Sequence, residues 1–339
     1  MVAREGEPSI SVIVVGDRGF AVLHAIIACL AEQTIAHEIE LLAVVPTDEE
    51  PPEGSETHFA RFRAVAAGPI TNRGRAAAAG VRLARAPVIA FTENHCFPEP
   101  DWAEALVAAH VAAGRPAGVA PAILNANPET LISWAGYAIA YARFHPGRPA
   151  GEIEDMPLHN TTYRRDLLMV RDNRLEELLA VESALQKDLR AAGERFLFEP
   201  RARAYHVNEV PFGLIVAALF STGWRYGGNR GRRWWWPRRA TYALVFPFLS
   251  IPITYNLLRQ LIPVADAPRL SPSLIARVWL ISVLHALGEA AGYALGPREH
   301  FPALEADEFT FVERLDGIAP SNPRIARYAQ QMRTPEAGS

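Results

Sequence analysis

Short β-rich runs alternate with longer helical patterns through the first half of this 339-residue chain, and that alternation restricts the fold more than any other feature of the sequence. Ser11–Val15 (SVIVV) and Ile39–Val45 (IELLAVV) are continuous apolar runs of the kind buried on both faces of a parallel sheet. Arg61–Val65 and Pro87–Phe91 (PVIAF) read as further strands. Between and after them, Phe20–Glu32, Asn72–Ala84 and Asp101–Ala113 place apolar residues at helical spacing. The order β-α-β-β-α-β-α predicts an open α/β sheet with its ligand-binding loops at the carboxyl ends of the strands. Beyond Val119–Leu124 the pattern is less regular until Leu175–Gly193, which reads as one helix ending at Gly193; strand-like Arg195–Phe198 and the segment Pro200–Asn208 follow.

The composition changes after Asn208. Residues 209–239 begin apolar and then surround Trp234, Trp235 and Trp236 with arginines, with no acid between Trp224 and Arg239. Ala240–Val264 and Ser273–Gly296 are nearly continuous apolar stretches, each close to the roughly 20 residues a spanning helix needs. The short connection Leu261–Pro272 makes 240–296 a candidate membrane hairpin, with the Arg/Trp cluster on its cytoplasmic flank. Pro247, Pro252, Arg277 and Glu289 leave interfacial or buried helices as the alternative. Residues 297–339 read as a polar, loosely ordered tail. The expected organisation is therefore a catalytic domain over 1–208, an interfacial segment over 209–239, a hydrophobic hairpin over 240–296 and the tail. Met1–Pro8 runs directly into the first strand without an apolar signal region, so the first domain is expected on the cytoplasmic side. A net charge of −3 offers no basic field for nucleic acid. Cys29 and Cys96 are the only cysteines, which excludes a disulfide framework or a cysteine zinc site and fits a reducing compartment.

The most informative segment is Phe91-Thr92-Glu93-Asn94-His95-Cys96-Phe97-Pro98, where an apolar strand runs into metal-capable side chains and a Pro-bounded turn. Read as extended chain, it points Glu93 and His95 to one side, able to share a cation. This segment, continued through Pro98, Pro100 and Trp102, resembles the acidic strand-end motif of family 2 glycosyltransferases, with Glu93, Asn94 and His95 in place of the usual aspartates. His159-Asn160-Thr161-Thr162-Tyr163-Arg164-Arg165 resembles the polar stretch on the family's acceptor side, where Asn160 and Thr161 would hydrogen-bond a sugar. Glu182, with Leu185, Leu189 and Gly193, reproduces the spacing after the family's acidic pair and takes the place of the general base; Val181 replaces the first acid, and Asp188 is the next acid along. Glu199-Pro200-Arg201-Ala202 through His206 is similar to the family's strand ending in a histidine near metal and diphosphate. On the donor side Asp48 and Arg73, in Asn72-Arg73-Gly74, match the general placement of nucleotide contacts.

The resemblance implies a GT-A catalytic domain, of the nucleotide-diphospho-sugar transferase type, followed by a C-terminal helical membrane-associated region. It implies a divalent cation, Mn²⁺ or Mg²⁺, held by Glu93, His95 and His206, and transfer with inversion from a nucleotide-sugar donor to a glycan or lipid-linked acceptor at the cytoplasmic membrane. The imidazoles favour Mn²⁺ more than an all-oxygen site does. Two rival readings remain: a non-catalytic, membrane-tethered binding or scaffold protein built on a decayed transferase domain, and a nucleotidyltransferase of related fold. Phosphate-loop, dinucleotide-fingerprint and nucleophile-elbow motifs do not occur in the sequence.

Overall fold

A computed structural model describes residues 7–112, 114–208, 212–298 and 322–333. They form two compact units. One contains the sheet, made from the chain up to Ala126, from Phe144–Val207 and from a C-terminal helix; the other contains Asn127–Arg143 and the helices that follow Asn208.

The sheet's strands are β1 (Ile10–Val15), β2 (Ile39–Val45), β3 (Arg61–Ala66), β4 (Val88–Phe91), β5 (Cys96–Pro98), β6 (Gly118–Asn125), β7 (Gly151–Ile153), β8 (Thr161–Arg164) and β9 (Phe196–His206). They lie in the order β3-β2-β1-β4-β8-β6-β9-β5, with β7 also paired to β9. The first four strands read from the sequence run parallel, and every residue of β1 and β2 is buried, as their unbroken apolar runs require. β8 joins antiparallel to both β4 and β6, and β5 antiparallel to β9. The α/β class is as expected; the antiparallel pairings, which the mostly parallel reading of the sequence did not include, bring distant segments beside the end of β4.

Helices α1 (His24–Ala31), α2 (Arg73–Leu83) and α3 (Trp102–Ala112) fall where the periodicity predicts them. Asn72 caps α2 by accepting from the Arg75 N–H at 2.9 Å. The expected single helix over Leu175–Gly193 is instead two, α6 (Leu175–Ala180) and α7 (Glu182–Ala191), parted at Val181 (φ −135°, ψ 81°). Gly74 allows α2 to meet α6 backbone to backbone: a Cβ there would lie 1.9 Å from the Leu179 carbonyl oxygen. A short helix α5 (Arg165–Met169) follows β8. Most of the expected polar tail lies outside the described residues, but Pro323–Arg333 is a helix, α12, packed on α1.

The second unit holds α4 (Leu131–Ala140), α8 (Phe212–Gly231), α9 (Trp236–Val245), α10 (Ser250–Leu261) and α11 (Pro272–Leu295). A 3₁₀ turn over Phe246–Leu249, containing Pro247, links α9 to α10. Trp236–Leu261 and Pro272–Leu295, 26 and 24 residues, are long and apolar enough to cross a membrane. The expected hairpin has a third close partner, because α8, which covers most of the expected interfacial segment, packs along α11. Gly223 and Gly227 face Gly288 and Gly292, each at four-residue spacing. Cβ atoms on Gly223 and Gly288 would come within 2.1 Å of the His285 carbonyl and 2.0 Å of the Phe220 carbonyl. Within α11 the buried Glu289 lies 3.4 Å from His285 Nδ1 and accepts from the Tyr293 hydroxyl at 3.2 Å, which offsets the cost of its burial.

Candidate cation and transfer site

At the carboxyl end of β4 the chain does not stay extended. Glu93–Cys96 forms a turn closed by the Cys96 N–H donating to the Glu93 carbonyl at 3.1 Å, so Glu93 and His95 converge through the turn and not by strand alternation. β5 then pairs with β9 in a register that sets Cys96 opposite His206. The His95 and His206 rings stand edge to face, centroids 4.7 Å apart. Glu93 Oε2 is 3.2 Å from His206 Nε2 and 3.9 Å from His95 Nε2.

One donor atom from each of Glu93, His95 and His206 lies within 4.8 Å of the others. Bonds of about 2.1 Å to a shared first-row ion place donors roughly 3 to 4 Å apart, a difference that small side-chain rotations close. The second layer suits a ligand role as well. His95 Nδ1 is 2.9 Å from Asn94 Oδ1, an acceptor, so the proton sits on Nδ1 and the Nε2 lone pair faces Glu93. Arg73 Nη1 donates to the same Asn94 oxygen at 3.4 Å. Burial holds His95 well below the ordinary histidine range despite the pull of Glu93, leaving a neutral imidazole ready to coordinate. Burial works to raise the Glu93 carboxyl, but His95 and His206 override it and keep Glu93 well below the usual carboxylate range. The residues therefore fit a divalent cation.

Asn160, expected to meet a sugar, is 2 % exposed and braces this turn. Its Oδ1 accepts from Thr92 Oγ1 and from the Glu93 N–H, both at 3.3 Å, and its Nδ2 donates to Glu93 Oε2 at 2.7 Å. Thr161 is fully buried and donates to the Val119 carbonyl at 3.2 Å. Arg164 pairs with Asp166, and Arg165 donates to the Ala84 carbonyl at 2.6 Å, so both hold the fold.

Glu182 opens α7, and the helix break at Val181 presents its carboxylate to the chain before β8. It accepts from the His159 N–H at 2.5 Å and from the Tyr163 hydroxyl at 2.9 Å, and Gln186 in turn donates to Tyr163 at 3.3 Å. His159 adopts φ +65°, in the left-handed region, which turns its N–H toward Glu182. Burial raises the Glu182 carboxyl, opposed by His159 and Tyr163. Arg73, Glu93, His159 and Glu182 line one cavity of about 30 Å³, floored by Ile13, Val15 and Phe91, with room for about two water molecules.

Of the sequence-predicted residues, Glu93, His95, His206, Asn160, Arg73 and Glu182 gather here. Asp48 is exposed beyond β2 and does not line the cavity. Asp188 is bound by Arg171 at 2.7 Å and Arg174 at 3.2 Å, also outside it. The sequence reading missed the parts played by Asn94, His159 and Tyr163; the signal for Asn94 was its position between two donors.

No family model and no curated protein matches the chain. Among solved structures it is similar to GalNAc-T7 with UDP, GalNAc and Mn²⁺, at TM-score 0.44 and 16 % identity over 61 % of this chain. The chain spans 44 % of that protein. It is similar also to the mannosyltransferase PcManGT from Pyrobaculum calidifontis in complex with GDP-Man and Mn²⁺, at TM-score 0.42 and 14 % identity over 96 % of this chain and 86 % of that one. At such scores these likenesses carry no weight on activity, which has to follow from the site itself.

Proposed function

We propose that this chain transfers a sugar from a nucleotide-diphospho-sugar to a hydroxyl acceptor, with inversion and with a divalent cation, in the manner of family 2 glycosyltransferases. The observation that carries the reading is one convergence: Glu93, His95, His206, Arg73 and Glu182, drawn from four separate segments, meet at the strand ends of an α/β sheet. Glu93, His95 and His206 would hold the cation, which offsets the charge of a departing nucleoside diphosphate when bound. Arg73, at the first position of α2 and fixed through Asn94, sets a permanent positive charge beside them for the phosphates. Asn160 keeps the Glu93 carboxylate aimed at its two histidines.

Glu182 is assigned the acceptor's proton. A carboxylate offers about four lone-pair directions, and two of those on Glu182 are taken by His159 and Tyr163, which orient it and leave others for a hydroxyl. Burial strengthens it as a base by raising its affinity for a proton. The cavity is too small for a sugar, so the donor would lie across its mouth with the diphosphate end toward Glu93 and Arg73. The two long apolar helices support membrane association, and with it a lipid-linked or membrane-proximal acceptor on the cytoplasmic face.

The test is release of nucleoside diphosphate from a panel of nucleotide-sugars with Mn²⁺, by the wild type and by Glu93→Gln and Glu182→Gln. Donor-specific turnover that is abolished by chelation and reduced in both variants is expected. A chain that binds nucleotide-sugars but turns none over with any acceptor refutes catalysis, and turnover of a nucleoside triphosphate instead refutes sugar transfer.

A further inference from the structure

One end of the helical unit gathers cations and indole rings for which the transfer chemistry has no use. α8 ends there and α9 begins, joined by Arg232-Arg233-Trp234-Trp235, and the carboxyl end of α11 arrives at the same place. Arg239 donates to the carbonyls of Tyr293 at 2.8 Å and Ala294 at 3.1 Å, and Trp224 Nε1 donates to the Gly296 carbonyl at 2.9 Å. These bonds satisfy acceptors that a helix end leaves open and set a cation at the negative end of the helix dipole. Trp234 stacks on Tyr293, centroids 5.6 Å apart and planes 4° apart, with the Arg238 guanidinium 3.9 Å above it. Arg239, Trp224 and Trp234 are thereby accounted for as parts of the fold.

The residues around them are not. Trp235 and Trp236 are 71 % and 77 % exposed. Arg232 and Arg233 are exposed, and among the described residues neither side chain makes an ion pair. No acidic residue lies between Trp224 and Arg239 to neutralise them. From this end a single stripe runs down α9 and α10: Leu244, Phe248, Ile251 and Tyr255, at i, i+4, i+7 and i+11, are each 66–74 % exposed. The opposite side of the same helices, with Phe246, Ser250, Thr254 and Leu261, is buried. A one-sided apolar stripe that ends in tryptophans and in arginines without an ion pair among the described residues matches a bilayer in cross-section: acyl chain, then interface, then charged headgroup.

We infer that this end of the helical unit is a docking surface for anionic phospholipid headgroups. Arg232 and Arg233 bind the lipid phosphates, Trp235 and Trp236 sit at headgroup depth, and the stripe lies against acyl chains. Guanidinium forks match phosphate oxygens two at a time, and an exposed pair of them favours an anionic leaflet over a zwitterionic one. The inference rests on the membrane-association part of the proposed function and is independent of the transfer chemistry.

The test is flotation of the full-length chain, diluted from detergent, with vesicles of phosphatidylcholine alone or mixed with phosphatidylglycerol. The wild type should bind the mixed vesicles more tightly, and salt should weaken that preference. Arg232→Gln with Arg233→Gln should weaken binding to the anionic vesicles about 30-fold, from the known strength of interfacial arginines, and leave binding to the neutral ones unchanged. Among the described residues both side chains are exposed and unpaired, so the fold should survive; an unaltered melting temperature and an unaltered Mn²⁺-induced rise in it verify that. Equal wild-type affinity for the two vesicle types, or a double variant that binds anionic vesicles like the wild type, overturns the headgroup assignment. Failure to float with either vesicle overturns the membrane reading beneath it, whatever the transfer assay shows.

Discussion

The carboxylate of Glu93 is the sole anionic donor of the three-residue cation site, so its replacement by glutamine is the sharpest test of that site. The amide keeps an acceptor toward Asn160 Nδ2, now 2.7 Å from Oε2, and preserves shape at a half-buried position, so the cation-free protein should melt near the wild-type temperature. Cation binding should suffer. Loss of an outer-layer partner alone costs 10- to 100-fold in metal affinity, and loss of the anionic ligand itself should reach at least the upper figure, about 100-fold. With Mn²⁺ at about 100 times its dissociation constant, the wild type gains about 2.7 kcal/mol. At about 2–4 °C per kcal/mol for a unit of this size, its melting temperature rises by roughly 5–10 °C. In Glu93→Gln the same Mn²⁺ concentration only equals the dissociation constant, which is worth about 0.4 kcal/mol, or roughly 1 °C. Scanning calorimetry of both proteins with Mn²⁺, Mg²⁺ and chelator reads this directly. Mn²⁺ should exceed Mg²⁺, because two of the three donors are imidazoles. Equal Mn²⁺ shifts in wild type and variant, or no shift in the wild type at millimolar Mn²⁺, would refute the assignment.

Glu182→Gln should lower turnover by roughly 100-fold or more while the Mn²⁺ shift persists. Because burial raises the folded-state pKa of Glu182, its ionisation costs stability as pH rises through that value, so in thermal melts the Gln variant should gain on the wild type with rising pH and lose the advantage in acid. Asp188 shows the opposite sign: Arg171 and then Arg174 hold its carboxyl below the ordinary value, a contribution present at neutral pH and lost as pH falls through the folded-state pKa. Asp188→Asn should therefore melt about 2–4 °C lower at neutral pH, corresponding to about 1 kcal/mol, converge with the wild type as the pH falls through the lowered folded-state pKa, and leave turnover intact. Gly74→Ala sets about 1 kcal/mol of helix propensity against a Cβ 1.9 Å from the Leu179 carbonyl oxygen; overpacking of about 1–3 kcal/mol should win, lowering the melting temperature and, by displacing Arg73, weakening donor binding in calorimetric titration.

The sequence made the parallel half of the sheet legible because strands buried on both faces have no choice but to be apolar, as in SVIVV and IELLAVV. The cation donors were legible as residue types, yet their geometry was not. The turn at Glu93–Cys96 depends on Asn160, 67 positions along the chain from Glu93, and no local pattern announces that. The break at Val181 was hidden for a related reason. Leu175–Gly193 contains no internal glycine or proline and reads as continuous helix, but the hydrogen bonds that draw Glu182 toward His159 and Tyr163 are tertiary. Asn160 itself shows how a polar residue in a polar stretch invites a ligand role when its amide is already engaged by its own fold.

How the cation site keeps its shape depends on a strand of only three residues. β5 pairs with β9 through the register Cys96–His206, and the Val207 N–H donates to the His95 carbonyl at 3.2 Å; a slip of one residue would turn His206 to the other face of the sheet. So short a ladder has little intrinsic hold on its register. Support comes from behind it: Phe97, the middle residue of β5, stacks on Tyr328 of α12 with centroids 5.3 Å apart, and the Pro98 carbonyl accepts from Arg324 Nη1 at 2.8 Å and from Cys29 Sγ at 3.3 Å. Arg324 and Arg327 are in turn tied to Glu32, beyond the end of α1, at 3.3 and 2.6 Å. An aromatic pair is worth about 0.5–1.5 kcal/mol and a charge-assisted hydrogen bond about 1.5–3 kcal/mol, so these contacts together outweigh what a three-residue ladder supplies. The helix near the far end of the sequence thus acts on the cation site without touching it, by fixing which residue of β9 stands opposite the turn that carries Glu93 and His95.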